Sequence, residues 1–315
     1  MATPAVAAEV TRILRRHGLG TSHPIESLDG FANVVAVCGS VVVRLNTGRL
    51  AGAFAHEAEV LTHLPDDVPH ARVIAVGQRA SGGEYLVLER LDGQPLQTVW
   101  STLGRAERDR VGRELGTTIS HLHALERQPW MHNSWPTAAV AEGRWADAYH
   151  APEQYAPTLL ASARGRVVDT DGLLDGVACF LADHPLEPAG SEVFVHTDLH
   201  LRNVLHGRDG RLHLVDFEGA RWGHQTMEWD MLQRSLREFD HRGLVPGLLA
   251  TWPALAAVRS SINRVVTAEA MWHLIQLHHW QPGQTWTQSP VRGLQRVLDG
   301  SFVAEVMDLV DTPAR

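Results

Sequence analysis

The sequence predicts an α+β protein of two lobes: a small β-rich N-terminal lobe with one key helix, residues 1–91, and a larger, mostly helical lobe, residues 92–315. Three observations carry this reading. β-branched runs broken by glycines fill most of 24–91. Apolar residues at helical spacing then dominate nearly to the C-terminus. Late in the chain a short polar loop, "HTDLHLRNVL" (196–205), and a hairpin ending in "LVDFEGA" (214–220) interrupt those helices.

The elements follow in order. "MATPAVAAEVTRILRRHGLG" reads as an amphipathic helix stopped by Gly18, without the basic start and apolar run of a signal peptide. Strands are expected near 24–30, 33–38 and 40–45, with a turn at "CGS". A helix follows through "LAGAFAHEAEVLTHL" (50–64). Two more strands, "ARVIAVGQ" and "EYLVLERL", flank the glycine turn "RASGGE", which makes a five-stranded antiparallel sheet with one helix. "LDGQPL" reads as a connector. Beyond it, helices are expected at 105–125, 171–184, 227–239 and 268–280, and the hairpin turns at "GRDG". The stretch 126–170, rich in Trp, Pro and Tyr, carries no clear period.

Composition narrows the function. A hydrophobic content of 44% supports a sizeable core, and a net charge of −8 argues against binding nucleic acid or an anionic membrane. The apolar stretches fall short of the roughly 20 residues that span a bilayer. Cys38 and Cys179 both sit in apolar runs and are expected to be reduced core residues of a cytoplasmic protein. All 28 basic residues are arginine, so no lysine is available to contact a phosphate. The histidine pairs lack an HExxH motif and neighbouring cysteines, which sets zinc aside. No G-x-S-x-G is present either, so a serine hydrolase has no support.

The polar loop carries the chemistry. Asp198 and Asn203 stand five residues apart on it, and Asp216 ends the next apolar run. Oxygen-bearing side chains so placed suit a site that holds a hard cation and also takes a proton from a hydroxyl.

His196, Asp198 and Asn203 fill the pattern H-x-D-x-x-x-x-N, and Asp216–Glu218 spell "DFE". In these motifs, and in the order of its lobes, the chain resembles the protein-kinase-like fold in its aminoglycoside phosphotransferase and choline kinase branch. The glycine-rich loop motif, the A-P-E and the activation segment of protein kinases are missing, so a protein substrate is not expected. The resemblance implies ATP or GTP as co-substrate, Mg²⁺ as cofactor, and a small-molecule acceptor bound by a monomer or homodimer. Asp198 would be the catalytic base, and Asn203 and Asp216 the metal ligands. His196 and Asp230 would support the catalytic loop.

On the nucleotide side the wider fold usually places a lysine on the third strand; this chain has Arg44, familiar at that position in the choline kinase branch, with Glu57 as its helix partner. Gly30 and Asn33 would belong to a phosphate-covering loop. The Glu89 carbonyl and the Leu91 N–H would pair with the base. For the acceptor the candidates are Glu218, Trp222, Glu228, Glu269, Trp272 and His273, carboxylates and aromatic faces that suit an ammonium-bearing molecule. Two classes of function stay open. One is a small-molecule kinase, acting on an aminoglycoside-like compound or on a housekeeping acceptor such as choline, thiamine or an amino sugar. The other is a nucleotide-binding pseudokinase.

Overall fold

The computed structural model describes residues 2–28, 33–46, 52–131, 152–164, 171–186, 192–238, 242–252, 255, 258–279 and 289–311. Gly30 and the stretch 132–150 lie outside the described residues.

Helix α1 (Pro4–Arg16) starts where Thr3 accepts the Val6 N–H and Pro4 fills the first turn. Strands β1 (Ile25–Leu28), β2 (Asn33–Cys38), β3 (Val41–Asn46), β4 (Val73–Gln78) and β5 (Glu84–Glu89) form an antiparallel sheet in the order β1-β2-β3-β5-β4. Alternation along β3 decides the two faces. Val41, Val43 and Leu45 pack with Val10, Ile13 and Leu14 of α1 in one cluster. Arg44 points the other way, under Phe54 of α2 (Ala53–His63), with its guanidinium 4.9 Å from that ring.

Helix α2 packs its apolar side into the larger cluster. Phe54, Ala58, Val60 and Leu61 sit there with Leu86 and Leu88 of β5 and with residues of the large lobe. The loop after α2 is bound to the large lobe as well. Leu214 N–H donates to the Pro69 carbonyl at 2.8 Å, His70 bridges Leu214, and the His121 ring lies 3.2 Å from the Asp67 carbonyl.

The large lobe contains α3 (Leu96–Val99), α4 (Arg105–His123), α5 (Pro152–Arg164), α6 (Asp171–Asp183), α7 (Thr226–Glu238), α8 (Val245–Thr251), α9 (Ile262–His279), α10 (Pro290–Leu298) and α11 (Ser301–Asp311). Helices α4 and α8 touch backbone to backbone: a Cβ on Gly112 would come within 2.4 Å of the Leu244 carbonyl oxygen, so no side chain fits there without movement. No helix among the described residues is long and apolar enough to cross a membrane.

Five strands sit among these helices: β6 (Gly93–Pro95), β7 (Glu192–Val195), β8 (Val204–Gly207), β9 (Leu212–Leu214) and β10 (Arg221–His224). β8 and β9 form the expected hairpin, and β7 pairs with β10. The connector read in "LDGQPL" holds β6, which adds to β8 through Gly93↔Gly207. Nothing in Gly-Gln-Pro favours a strand; a partner edge supplies the structure. Helix α9 begins at Ile262, six residues before the expected start. Cys179 is exposed, against the expectation of a core residue, because helix α6 turns Val177 inward and the cysteine out. Cys38 is buried in the small-lobe cluster.

Candidate active site

The loop after β7 is held by its own polar groups. His196 is fully buried and packs 4.5 Å from Phe217. Its Nε2 meets the Val215 carbonyl at 3.0 Å, and its Nδ1 receives the Asp198 N–H at 3.4 Å. That pair of neighbours fixes the tautomer with the proton on Nε2. Burial pushes the ring down to about 4, so it stays neutral. Asn203 donates from Nδ2 to the Asp198 carbonyl at 2.9 Å and to its carboxylate at 3.2 Å. The amide nitrogen is thereby committed, which leaves the Asn203 side-chain oxygen as the group that can serve a cation.

Asp198 faces a gathering of acids. Burial first, then the charges of Asp216 and Glu218, push its carboxyl up to about 8, against the hydrogen bond from Asn203. His200 Nε2 lies 3.7 Å from Asp198 Oδ1.

The second loop starts at Asp216, whose left-handed backbone (φ 70°, ψ 56°) caps a single 3₁₀ turn, Phe217–Gly219. There the small lobe reaches across. Arg44 sends Nη1 to both Glu57 oxygens at 2.6 Å, and Nη2 to Asp216 at 2.7 Å and to Glu218 at 3.2 Å. Burial works against the guanidinium's charge, but the carboxylates of Glu57, Asp216 and Glu218 outweigh it and hold its pKa above the ordinary value. Glu57 also accepts the Phe217 N–H at 3.2 Å. Burial pushes the Glu57 carboxyl up against the pull of Arg44. The charges of Asp216 and Glu218 push it the same way, while its hydrogen-bond partners among the described residues, Arg44 and the Phe217 N–H, are donors.

Carboxylate oxygens of Glu57, Asp216 and Glu218 lie within 4.8 Å of one another. Glu57 is spent on Arg44. Arg44 engages Asp216 and Glu218 as well; Asp216 and Asn203, the pair expected to hold the metal, offer oxygen atoms of the kind Mg²⁺ takes.

The remaining predicted residues divide. Asn33 donates to Glu218 at 3.0 Å across the cleft. Glu218, expected at the acceptor, thus stands on the nucleotide side beside Arg44. Glu89 keeps its side chain near solvent, 3.3 Å from Arg72, and Leu91 packs on the large cluster. Trp222, on β10, is half-buried with the Arg127 guanidinium 5.4 Å from its ring.

The remaining acceptor candidates are engaged within the lobe. Glu228 is fully buried and takes the N–H groups of His196 and Thr197, the latter at 3.4 Å. Burial, opposed by those two bonds, pushes its carboxyl up to about 7. Glu269 is buried between Arg234 at 2.8 Å and Arg237 at 3.2 Å, and His273 pairs with it at 3.3 Å. These side chains are consumed inside the lobe because a buried charge requires partners. Trp272 lies under Arg234, 4.6 Å from the guanidinium. Asp230, expected to support the catalytic loop, is buried with Oδ1 unpartnered, and burial raises its carboxyl well above the usual range. The acid that reaches the loop is Glu228, two residues earlier.

Two contacts were missed by sequence reasoning. His56 Nε2 meets the Ala220 carbonyl at 2.6 Å, and the Thr197 hydroxyl donates to the Gly219 carbonyl at 2.9 Å. A histidine on the buried side of α2, next to Glu57, was a legible signal for the first. Nothing in the residue type announced the second.

Residues 27–260 match the profile of a family described as a phosphotransferase enzyme family, APH. No curated protein matches the chain in sequence. Among solved structures, the GDP complex of aminoglycoside 2'-phosphotransferase-IIIa is similar with a TM-score of 0.65 at 18% identity, over 93% of this chain and 98% of that one. A putative aminoglycoside phosphotransferase from Ralstonia eutropha JMP134 gives 0.63 at 19% identity, over 98% of each chain. A choline/ethanolamine kinase family protein from Mesorhizobium loti gives 0.55 at 18%, over 99% and 96%.

Proposed function

The chain belongs to the phosphotransferase enzyme family, and from that membership we infer that it moves the γ-phosphoryl group of ATP or GTP to a hydroxyl of a small, hydroxylated and cationic acceptor of the aminoglycoside kind. The observation that carries this reading is the loop on which Asn203 holds the Asp198 carboxylate at 3.2 Å, tied to the Asp216 loop by the His196 bond to the Val215 carbonyl at 3.0 Å.

The chemistry asks the protein mainly for positioning and charge. Arg44, steadied by Glu57, would meet the nucleotide phosphates through Nη2 once those N–H groups pass from Asp216 and Glu218 to phosphate oxygens. Asp198 lies where it can accept the acceptor's proton, and Asn203 fixes its carboxylate. Asn203 and Asp216 would hold Mg²⁺, which when bound neutralises phosphate charge. A cationic acceptor at Trp222 would take the place that the Arg127 guanidinium holds over that ring.

A screen of aminoglycosides, choline, thiamine and amino sugars, with ATP and GTP separately, tests the proposal through release of nucleoside diphosphate and mass gain of the acceptor. One observation favours a second reading, nucleotide binding without turnover: Arg44 Nη2 is engaged with Asp216, the carboxylate the metal needs. Tight nucleotide binding with no phosphorylated product from any acceptor is its signature.

A further inference from the structure

The two loops of the site are joined where a sheet runs out. β7 and β10 pair antiparallel with Val195 opposite Arg221. Carrying that register two residues further sets Thr197 opposite Gly219. The ladder stops there because Thr197 turns left-handed, with φ 70°. A β-branched residue adopts that conformation only where its surroundings hold it.

Two bonds do so. The Thr197 N–H leaves the ladder for Glu228, 3.4 Å away, an acid with no exposed surface that also takes the His196 N–H. The hydroxyl then meets the carbonyl of the residue opposite, Gly219, at 2.9 Å. Glycine would accept this backbone freely. Threonine brings a donor to the same place.

That donor sits between the two reacting centres. Asp198 is the next residue on one loop. Asp216, three residues before Gly219 on the other, is the second non-glycine residue with positive φ among those described. The near end of the Asp216 loop is tied to the catalytic loop by His196 Nε2 to the Val215 carbonyl and by the Val215 N–H to the Asn203 carbonyl, each 3.0 Å. The far end meets the catalytic loop through the Thr197 hydroxyl. The other ties of the Asp216 loop come from the small lobe: Phe217 N–H to Glu57 and His56 to the Ala220 carbonyl from α2, Arg44 of β3 to Asp216 and Glu218, and Asn33 of β2 to Glu218.

We propose that Thr197 is a positioning residue for the phosphoryl transfer inferred above, on which this proposal rests: its hydroxyl, bonded to the Gly219 carbonyl, sets the spacing of Asp198 and Asp216, and Glu228 holds its backbone in the conformation that aims the hydroxyl there.

The test compares Thr197→Val, Thr197→Ser and Thr197→Gly in the full chain. Thr197→Val keeps the shape and loses the donor, so kcat falls about tenfold or more while the nucleotide KM stays within about twofold. Thr197→Ser restores most of kcat. Thr197→Gly frees the backbone, so its thermal midpoint is at or above that of the parent while its kcat drops like that of Thr197→Val. Wild-type kcat in Thr197→Val, or a loss that Thr197→Ser does not restore, overturns the proposal. Hydrogen exchange on the nucleotide-free protein reads the tie without an acceptor: amides 217–220 exchange about tenfold faster in Thr197→Val than in Thr197→Ser. Equal exchange overturns the tie. Faster exchange in a protein that phosphorylates no acceptor upholds the tie and counts against the phosphotransfer reading instead.

Discussion

Glu57 takes Arg44 Nη1 with both carboxylate oxygens at 2.6 Å and has no exposed surface. The pair joins a helix to a strand under Phe54, where an unpartnered charge is costly. Glu57→Ala should lower stability by about 3–5 kcal/mol, the usual cost of stranding a buried partner. Arg44→Ala should raise the nucleotide KM and lower kcat. Arg44→Lys should recover only part, because one ammonium cannot serve Glu57, Asp216 and phosphate oxygens with a planar fork. The double variant Arg44→Ala/Glu57→Ala should be less than additive. Chemical denaturation and steady-state kinetics on the four proteins check this.

Asp198→Asn removes the base and keeps the shape. We expect kcat to fall by about 10²–10⁴-fold with nucleotide affinity unchanged. The parent should show a pH dependence with a definite sign. The base works when deprotonated, and its surroundings raise its pKa to about 8. Activity at low Mg²⁺ should therefore climb as pH rises toward and through that value. Saturating Mg²⁺ adds positive charge beside the carboxylate and should move the climb to lower pH. Rate profiles at two metal concentrations decide it; a limb that ignores the metal would detach Asp198 from the role.

Asp216→Asn and Asn203→Ala should weaken binding of Mg²⁺-nucleotide far more than binding of nucleotide alone. Calorimetric titrations with and without Mg²⁺ compare the two directly. Asn203→Ala should also lower kcat beyond its effect on binding, since it releases the Asp198 carboxylate. Equal losses in both titrations would place the metal elsewhere.

Glu269 gives a stability signal away from the cleft. Burial alone would raise its pKa, but Arg234, His273 and Arg237 together bring it below the usual carboxylate range. A depressed folded-state pKa contributes stability above the unfolded value, near 4.3, and loses it as pH falls toward the folded one. Glu269→Gln should therefore cost about 3–5 kcal/mol at neutral pH. The difference in thermal midpoint between variant and parent should shrink steadily below about pH 4. A gap that is constant from pH 7 to pH 3 would mean the carboxylate's charge contributes nothing.

The sequence was most legible where a local signal and the final structure coincide. Strands β2, β3, β4 and β5 lie where the β-branched runs put them, because each packs at least one face. Asp198 and Asn203 stand together on one loop, and the hairpin of β8 and β9 returns Val215, next to Asp216, to the Asn203 carbonyl. The acceptor side was opaque for a physical reason. Glu228, Glu269 and His273 look, as residue types, like groups that greet a ligand, yet each is buried and bonded within the fold, Glu228 through one oxygen. One sequence does not distinguish an acid that binds a substrate from an acid that caps two N–H groups. The left-handed turn at Thr197 was hidden for the opposite reason, since its residue type argues against the conformation it adopts.

Helix α2 lies on the small lobe's sheet, where the Phe54 N–H donates to Glu84 at 3.2 Å, and it is fastened to the large lobe as well. His56 grips the Ala220 carbonyl, the 64–70 loop joins β9 through Pro69 and His70, and His121 of α4 reaches Asp67. The helix is therefore a strut between the sheet and the large lobe. Arg44 bolts the same three parts together, since it meets Glu57 on the helix and Asp216 and Glu218 beyond it while standing on β3.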